Sequence, residues 1–443
     1  MSVTNTINGG VRQWKRYSHH EPSEVEWLRD IPRGWETMQF KRIARIRYGL
    51  GQPPPESPDG VPLIRATNIA HGVITDAGMM LIDSRQVPPG KSAVLSTNEI
   101  VVVRSGAYTG DSAIVPQRYA GSIAGYDMVA TIKRGIEAFF AWQLLSREIY
   151  DLQFGFVKLR AAQPHLNSEE LGKTVVTVPP LDEQRCIVAF LERETAKIDA
   201  LIAKKERLIE LLQEKRTSLI SHAVTKGLDP NVPMKDSGIE WAAQIPTTWE
   251  VRRNILVFSE RDQRAYPDLP ILEVSLRTGV TERQFSDQHI EQQAADPSSY
   301  KRAAKGDLVF NKMRMWQGAV GVAPVDGLVS PDYTVANPRE GNDSKYFEYL
   351  FRTSYYMTEV NRFSHGIVRD RNRLYWDQFK EMPSLVPPTH EQQAILRHIA
   401  KVGSHIDRLI AKVREAIDKL REYRTALISA AVTGKIDVRG EIA

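Results

Sequence analysis

PPLDEQRCIVAFLERETAKIDALIAK, residues 179–204, returns in altered form as PPTHEQQAILRHIAKVGSHIDRLIAK from Pro387. This repetition decides how the chain is organised. Paired prolines oppose continuation of a strand, and the acidic groups that follow suit a helix N-terminus. From Glu183 to about Thr225 there is no proline or glycine, which predicts a helix of roughly 40 residues, about 60 Å long. The single cysteine, Cys186, lies just inside it and reads as a packing residue. One cysteine excludes an internal disulfide framework and a CxxC metal knuckle.

Alternate steps of three and four trace an apolar seam through each copy. In the first it runs Leu191, Glu194, Ile198, Leu201, Lys205, Leu208, Leu212, Lys215 and Leu219. In the second it runs Ile399, Val402, Ile406, Leu409, Val413, Ala416, Leu420, Tyr423 and Leu427. A seam of about four heptads needs a partner helix, and the other copy is the nearest. The short Pro/Gly-rich linker GLDPNVPMKDSG after the first helix favours an antiparallel pair, although a parallel pair and a homodimer seam stay open.

The repeat extends beyond the helix. IEWAAQIPTTWE at 239–250 echoes VEWLRDIPRGWE at 25–36, setting Trp241 over Trp27, Pro246 over Pro32 and Trp249 over Trp35. The helix ends KRTSLISHAVT and YRTALISAAVT match as well. Between these markers the halves diverge. Short runs such as SAVL, IVVV, DMVATI, GAVGVA and DYTVA, punctuated by Gly, Pro and Asn, predict strand-rich bodies. One helix is expected in each, over 139–150 and 346–360. The expected fold class is α+β: two strand-rich domains joined by two long helices, whose antiparallel coiled-coil pairing would give internal pseudo-two-fold symmetry. The expected division is domain one over 1–182, helix over 183–226, linker over 227–238, domain two over 239–390, helix over 391–434 and tail over 435–443.

At 443 residues there is length for two or three cores. Hydrophobic content of 42% with 26% charged residues argues against wholesale disorder. A formal charge of +5 mildly favours a polyanionic partner. The first thirty residues lack a signal-peptide pattern and no run approaches the length of a membrane span, so the expected place is the cytoplasm without membrane association.

Catalytic signatures are missing. There is no GxxxxGK[ST] loop, no GxGxxG between strand and helix, and no HExxH; His390-Glu391 continues as Gln-Gln-Ala. Asn337-Pro338 lacks the aromatic expected beside a flipped base. Pro267-Asp268 with Glu273 faintly suggests a nuclease, but Ser275 stands where a lysine is wanted. The reading is therefore of no catalytic, cofactor-binding or metal-ligating residues in this chain.

Binding residues are better represented. IVVVRSGAYTG at 100–110 aligns with LVFNKMRMWQG at 308–318, each a strand entering a basic, aromatic turn. Arg104, Ser105, Tyr108 and Thr109 occupy the first; Lys312, Arg314, Trp316 and Gln317 occupy the second. Near the end of domain two lie Arg362, His365, Arg369, Arg371, Arg373 and Tyr375. Lys158, Arg160, Gln163, His165 and Asn167 form a thinner set in domain one. Arg, Asn and Gln can meet base edges in pairs of hydrogen bonds, while Lys and Arg neutralise phosphates. A solvated basic loop is the plainer alternative for any one of them.

With EWL-x-x-IP-x-x-W, a PP-x-x-EQ helix start and ID-x-LI-x-K set in a doubled frame, the sequence resembles the specificity subunits of type I restriction-modification systems. The marks are Trp27, Pro32, Trp35, Glu183, Gln184, Ile198 and Asp199, then Trp241, Pro246, Trp249, Glu391, Gln392, Ile406 and Asp407. PLIRATNIAHGVI at 62–74 is a further family-like piece, which adds Arg65 and Asn68 to the DNA-binding candidates; PILEVSLRTGVT at 270–281 departs from it. The resemblance implies two domains, each reading half of an asymmetric, split site in double-stranded DNA, with the helices as a ruler for the spacer. It implies docking of two methyltransferase subunits that use S-adenosylmethionine, and of restriction/translocase subunits that use ATP and Mg. A coiled-coil scaffold without sequence-specific DNA binding is the alternative.

Overall fold

The computed structural model describes residues 4–7, 10–88, 93–155, 164–283, 299–365 and 372–441, the first two strands (4–7 and 10–13) by backbone only. The chain forms two compact units, Met1–Glu206 with Val413–Ala443, and Arg207–Lys412. Both cuts fall inside the long helices, which run Leu181–Lys226 and Thr389–Val432.

The body of the first unit is built on a four-stranded antiparallel sheet in the order Ser112–Ile114, Ile100–Val102, Met128–Ile132, Ala44–Tyr48. Its central run is apolar throughout because it is covered on both faces. Ile100 and Val102 join the larger core with Met128 and Ala130, while Val101 and Val103 join a second core with Ala113 and Val129. Side chains alternate across a strand, so neighbours feed different cores. The second unit repeats the arrangement in the order Val320–Val322, Leu308–Asn311, Tyr333–Pro338, Phe258–Glu260. Leu308 and Phe310 enter one core there and Val309 the other. SAVL makes only an isolated bridge, between Val94 and Ile123.

Each expected body helix is instead two elements. The first unit has a helix at Glu137–Leu144 and a π-helical turn at Glu148–Gln153. The second has helices at Ser344–Phe351 and Ser354–Phe363. The break falls at Thr353, whose hydroxyl accepts the Tyr356 N–H and caps a new helix. Helical periodicity carried through both pieces and concealed the break.

The repeated motifs fasten each body to its helix by the same bonds. Trp35 Nε1 donates to Glu183 Oε2 at 2.9 Å, and Trp249 Nε1 donates to Glu391 Oε2 at 2.7 Å. Gln184 accepts the Ile136 N–H at 2.8 Å and donates to the Pro179 carbonyl at 2.7 Å. Gln392 accepts the Asp343 N–H and donates to the Pro387 carbonyl, both at 2.9 Å. Both glutamines are buried, where an amide is tolerated only when its hydrogen bonds are met. Trp35, Trp249, Glu183, Glu391 and the two glutamines thus each meet a specific partner.

The long helices also carry matched pairs. In the first unit Arg424 meets Asp199 at 2.9 Å; in the second Arg216 meets Asp407 at 2.8 Å. Each arginine belongs to a repeated helix end and each aspartate to a repeated ID pair. Of the expected seam, Leu191, Ile198, Ile399, Ile406 and Leu427 are buried. Leu201, Leu212, Leu219, Val402, Val413, Leu420 and Tyr423 are partly covered. Leu208 and Leu409 are corrected: they are 43% and 36% exposed, while Ile410 and Ile417 are buried. Strict 3-4 stepping averages 3.5 residues per turn, and a straight helix drifts about 20° per heptad from that line. The next residue along then takes the inward place. Among the described residues no helix is long and apolar enough to cross a membrane.

Candidate nucleic-acid interface

In the first unit the turn after Ile100–Val102 carries Arg104 between two aromatic rings. Its guanidinium carbon lies 4.6 Å from the centre of the Tyr48 ring and 4.5 Å from that of Tyr126. Arg104 Nε donates to His165 Nε2 at 3.2 Å, and the Arg104 carbonyl accepts the Leu166 N–H at 2.8 Å. Tyr48 is itself fixed, since its hydroxyl lies 2.9 Å from Ser168 Oγ. Tyr48, Tyr108 and Tyr126 are all exposed, at 41%, 53% and 45%. The result is an arginine held close to two exposed aromatic rings, a group suited to nucleic-acid bases and backbone.

The second unit puts Lys312 at the same point, its carbonyl accepting the Leu374 N–H at 2.9 Å. The strand register places Asp262 and Asp332 where the first unit has Tyr48 and Tyr126. Lys312 Nζ donates to the Pro331 carbonyl at 2.9 Å and sits 5.8 Å from the centre of the exposed Tyr375 ring. Burial, and then the charge of Lys301, hold its ammonium below the usual lysine range. Lys301 Nζ is itself buried, 3.9 Å from Glu260 and 3.8 Å from Asp262. One scaffold position thus carries opposite surroundings in the two units: a cation between rings, and a cation among carboxylates.

Several expected residues take other roles. Asn68 is fully buried, donating to the Ala77 carbonyl and accepting the Arg65 N–H, so it shapes a turn. Thr109 is buried with its hydroxyl on the Gly106 carbonyl. Asn167 caps the helix Ser168–Lys173, accepting the N–H groups of Glu169 and Glu170. Short polar residues favour such local bonds. Arg65 donates to the Gly78 carbonyl at 2.8 Å. Arg362 faces Glu359 and Glu240 at 3.6 and 3.9 Å. Trp316 is half-buried, donating to the Met313 carbonyl.

Ser105 bridges to His165, and His365 to Arg373. Arg314, Gln317, His365, Arg373 and Tyr375 are exposed. Lys158, Arg160, Gln163, Arg369 and Arg371 lie outside the described residues. Tyr48, Tyr126 and Lys301 are absent from the sequence reading because topology, not spacing, brings them to the site.

Asp127 supports the turn from below, accepting the Arg104 N–H at 3.1 Å. Burial pushes its carboxyl up to about 6, against the lowering effect of bonds from the Arg104 and Ala66 backbone. The folded protein therefore binds a proton that the unfolded chain has released above about pH 4. Stability falls as pH rises from about 4 to 6, by on the order of 2–3 kcal/mol, and the loss is complete above that window. Asp127→Asn keeps an acceptor without the charge. Its melting temperature should exceed the wild type's at pH 7.5 and converge on it near pH 4.5; a variant less stable at pH 7.5 would contradict this account.

Residues 32–211 match the family model of the type I restriction modification DNA specificity domain. That segment is thus similar to a DNA specificity domain. The chain is 20% identical over 428 residues to the type I restriction enzyme EcoKI specificity subunit of Escherichia coli K12, covering 92% of this chain and 90% of that protein. It is 18% identical over 430 residues to the StySPI specificity subunit of Salmonella potsdam, covering the same shares. A solved structure described under complex assembly and conformational transition of the type I R-M system superposes with a TM-score of 0.65 at 16% identity, covering 92% of this chain and 99% of that chain. Over nine-tenths of its length the chain is thus similar to type I restriction enzyme specificity subunits, and residues 32–211 match their DNA specificity domain.

Proposed function

We propose that this chain is the DNA specificity subunit of a type I restriction-modification complex, each body reading one half of an asymmetric, bipartite site. The observation that carries this is a common frame with unlike loops. The Trp–Glu and Gln–Pro bonds recur in both units, whereas the position after the central strand is Arg104 in one and Lys312 in the other. A scaffold without sequence-specific binding gives no reason for exposed cation–aromatic chemistry at that position. Base edges are distinguished mainly in the major groove, and two linked reading heads demand a fixed separation and phase of their half-sites.

In this reading the long helices pair antiparallel as a coiled coil that relates the two halves by a pseudo-two-fold and sets the spacer. Two methyltransferase subunits dock on them and the restriction/translocase subunits complete the assembly, in the cytoplasm. Catalysis belongs to those partners, with S-adenosylmethionine, ATP and Mg; the present chain contributes none.

Co-purification with the methyltransferase subunits, followed by sequencing of methylated sites, tests the assignment. Replacing residues 251–386 with the matching segment of a relative should change one half of the methylated motif and keep the other half and the spacer. An unchanged motif would remove the two-head reading, and the absence of any recurring motif would favour the scaffold.

A further inference from the structure

Clamped arginines in the first body fall into two kinds. Arg47 places its terminal amino groups on Glu99, Thr131 and the Val94 carbonyl. Arg118 and Arg65 place theirs on the carbonyls of Ile74 and Gly78. These side chains hold the protein together. Arg104 is clamped as firmly, by Tyr48, Tyr126 and His165, but only its Nε is used. Among the described residues no acceptor meets its Nη1 or Nη2 groups.

We propose that Arg104 reads a guanine in the half-site of the first unit, with Tyr48, Tyr126 and His165 as positioning residues; this rests on the specificity-subunit reading above. The two free amino groups offer parallel donors along one edge of a plane. Guanine offers two acceptors, O6 and N7, along one edge of its own plane in the major groove. A phosphate has no preferred plane, and a mobile arginine or lysine serves it equally well. A guanidinium fixed in its plane before binding loses less freedom on contact and rejects partners of the wrong outline. Tyr48 and Tyr126, each within 4.6 Å of the guanidinium carbon, restrict its motion, and His165 fixes its Nε.

The second unit does not repeat the device. Lys312 has no plane, its ammonium already donates to the Pro331 carbonyl, and carboxylates replace the rings. The guanine contact is therefore confined to one half of the motif.

The test uses the full chain in complex with its methyltransferase subunits, with methylated motifs read by sequencing. Arg104→Lys keeps the charge but loses the paired donors, and it should fold as the wild type does. At one position of the half-motif assigned to the first unit, its preference for guanine should fall about 10-fold, with every other position kept. Tyr126→Ala should weaken the same position, and Tyr126→Phe, which retains the ring, should preserve it. If Arg104→Lys and Tyr126→Ala lower methylation uniformly at all sites, Arg104 is a phosphate contact: the inference fails and the specificity reading stands. A wild-type complex with no recurring motif overturns both.

Discussion

Trp249→Ala should destabilise the second unit by about 4 kcal/mol, the cost usual for emptying a large buried aromatic site. Trp249 is fully buried in the core that contains Ile245, Tyr346, Leu385 and Ile395. Removing it opens a cavity between the body and the start of the second long helix. It also takes from Glu391 its 2.7 Å indole donor, leaving that carboxylate with the Thr248 hydroxyl. For a unit of this size the loss corresponds to a fall in melting temperature of about 8–16 °C. Trp249→Phe separates the two effects: it keeps most of the packing and forfeits a hydrogen bond to a charged group, about 2 kcal/mol.

The first unit supplies the control. Trp35 donates to Glu183, but the Tyr17 hydroxyl donates to the same Oε2 at 2.9 Å and Arg439 lies 3.5 Å from its other oxygen. Trp35→Phe leaves that carboxylate with two partners and should cost less than Trp249→Phe. Urea unfolding of the three variants measures the comparison. Equal costs for the two Phe variants would mean that the Trp–Glu bonds are incidental to the frame.

These bonds explain why the frame is readable in the sequence. The Trp–Glu and Gln–carbonyl bonds tie matching motif residues to matching partners in both units, so substitution there is costly. The first helix is readable because a long run without proline or glycine has few other outcomes, and the seam fails at Leu208 and at Leu409, where helical drift turns Ile410 inward. The surface is different. Arg104, Tyr48, Tyr126 and His165 come from four separate segments, joined by strand pairing such as Met128 with Tyr48. No periodicity marks such a set. Asn68 and Asn167 misled for a related reason: polarity alone does not distinguish a side chain bonding its own backbone from one kept for a ligand.

Gly434→Ala should cost the first unit about 3 kcal/mol, whereas Gly227→Ala should cost the second only about 1. Both glycines follow a long helix and adopt the left-handed region, at φ +73° and +81°. That conformation alone penalises alanine in each. Their surroundings differ. A Cβ on Gly434 would lie 2.4 Å from the Cδ and Cγ atoms of Pro32 and 3.3 Å from the Trp35 ring, whereas one on Gly227 would have ordinary contacts of 3.5–3.6 Å with Trp249 and Pro246. Pro32 cannot turn aside, since its ring is rigid and its strand, Asp30–Pro32, pairs with His20–Pro22. Either the helix end or the Ile31–Trp35 segment must shift, and Trp35 carries the bond to Glu183. The strain therefore reaches the joint that seats the first body on its helix. Thermal unfolding of the two variants decides the matter: melting temperatures lowered equally would show that the approach of Gly434 to Pro32 is looser than its geometry, and a larger fall for Gly434→Ala would locate the tighter of the two mounts in the unit that carries Arg104.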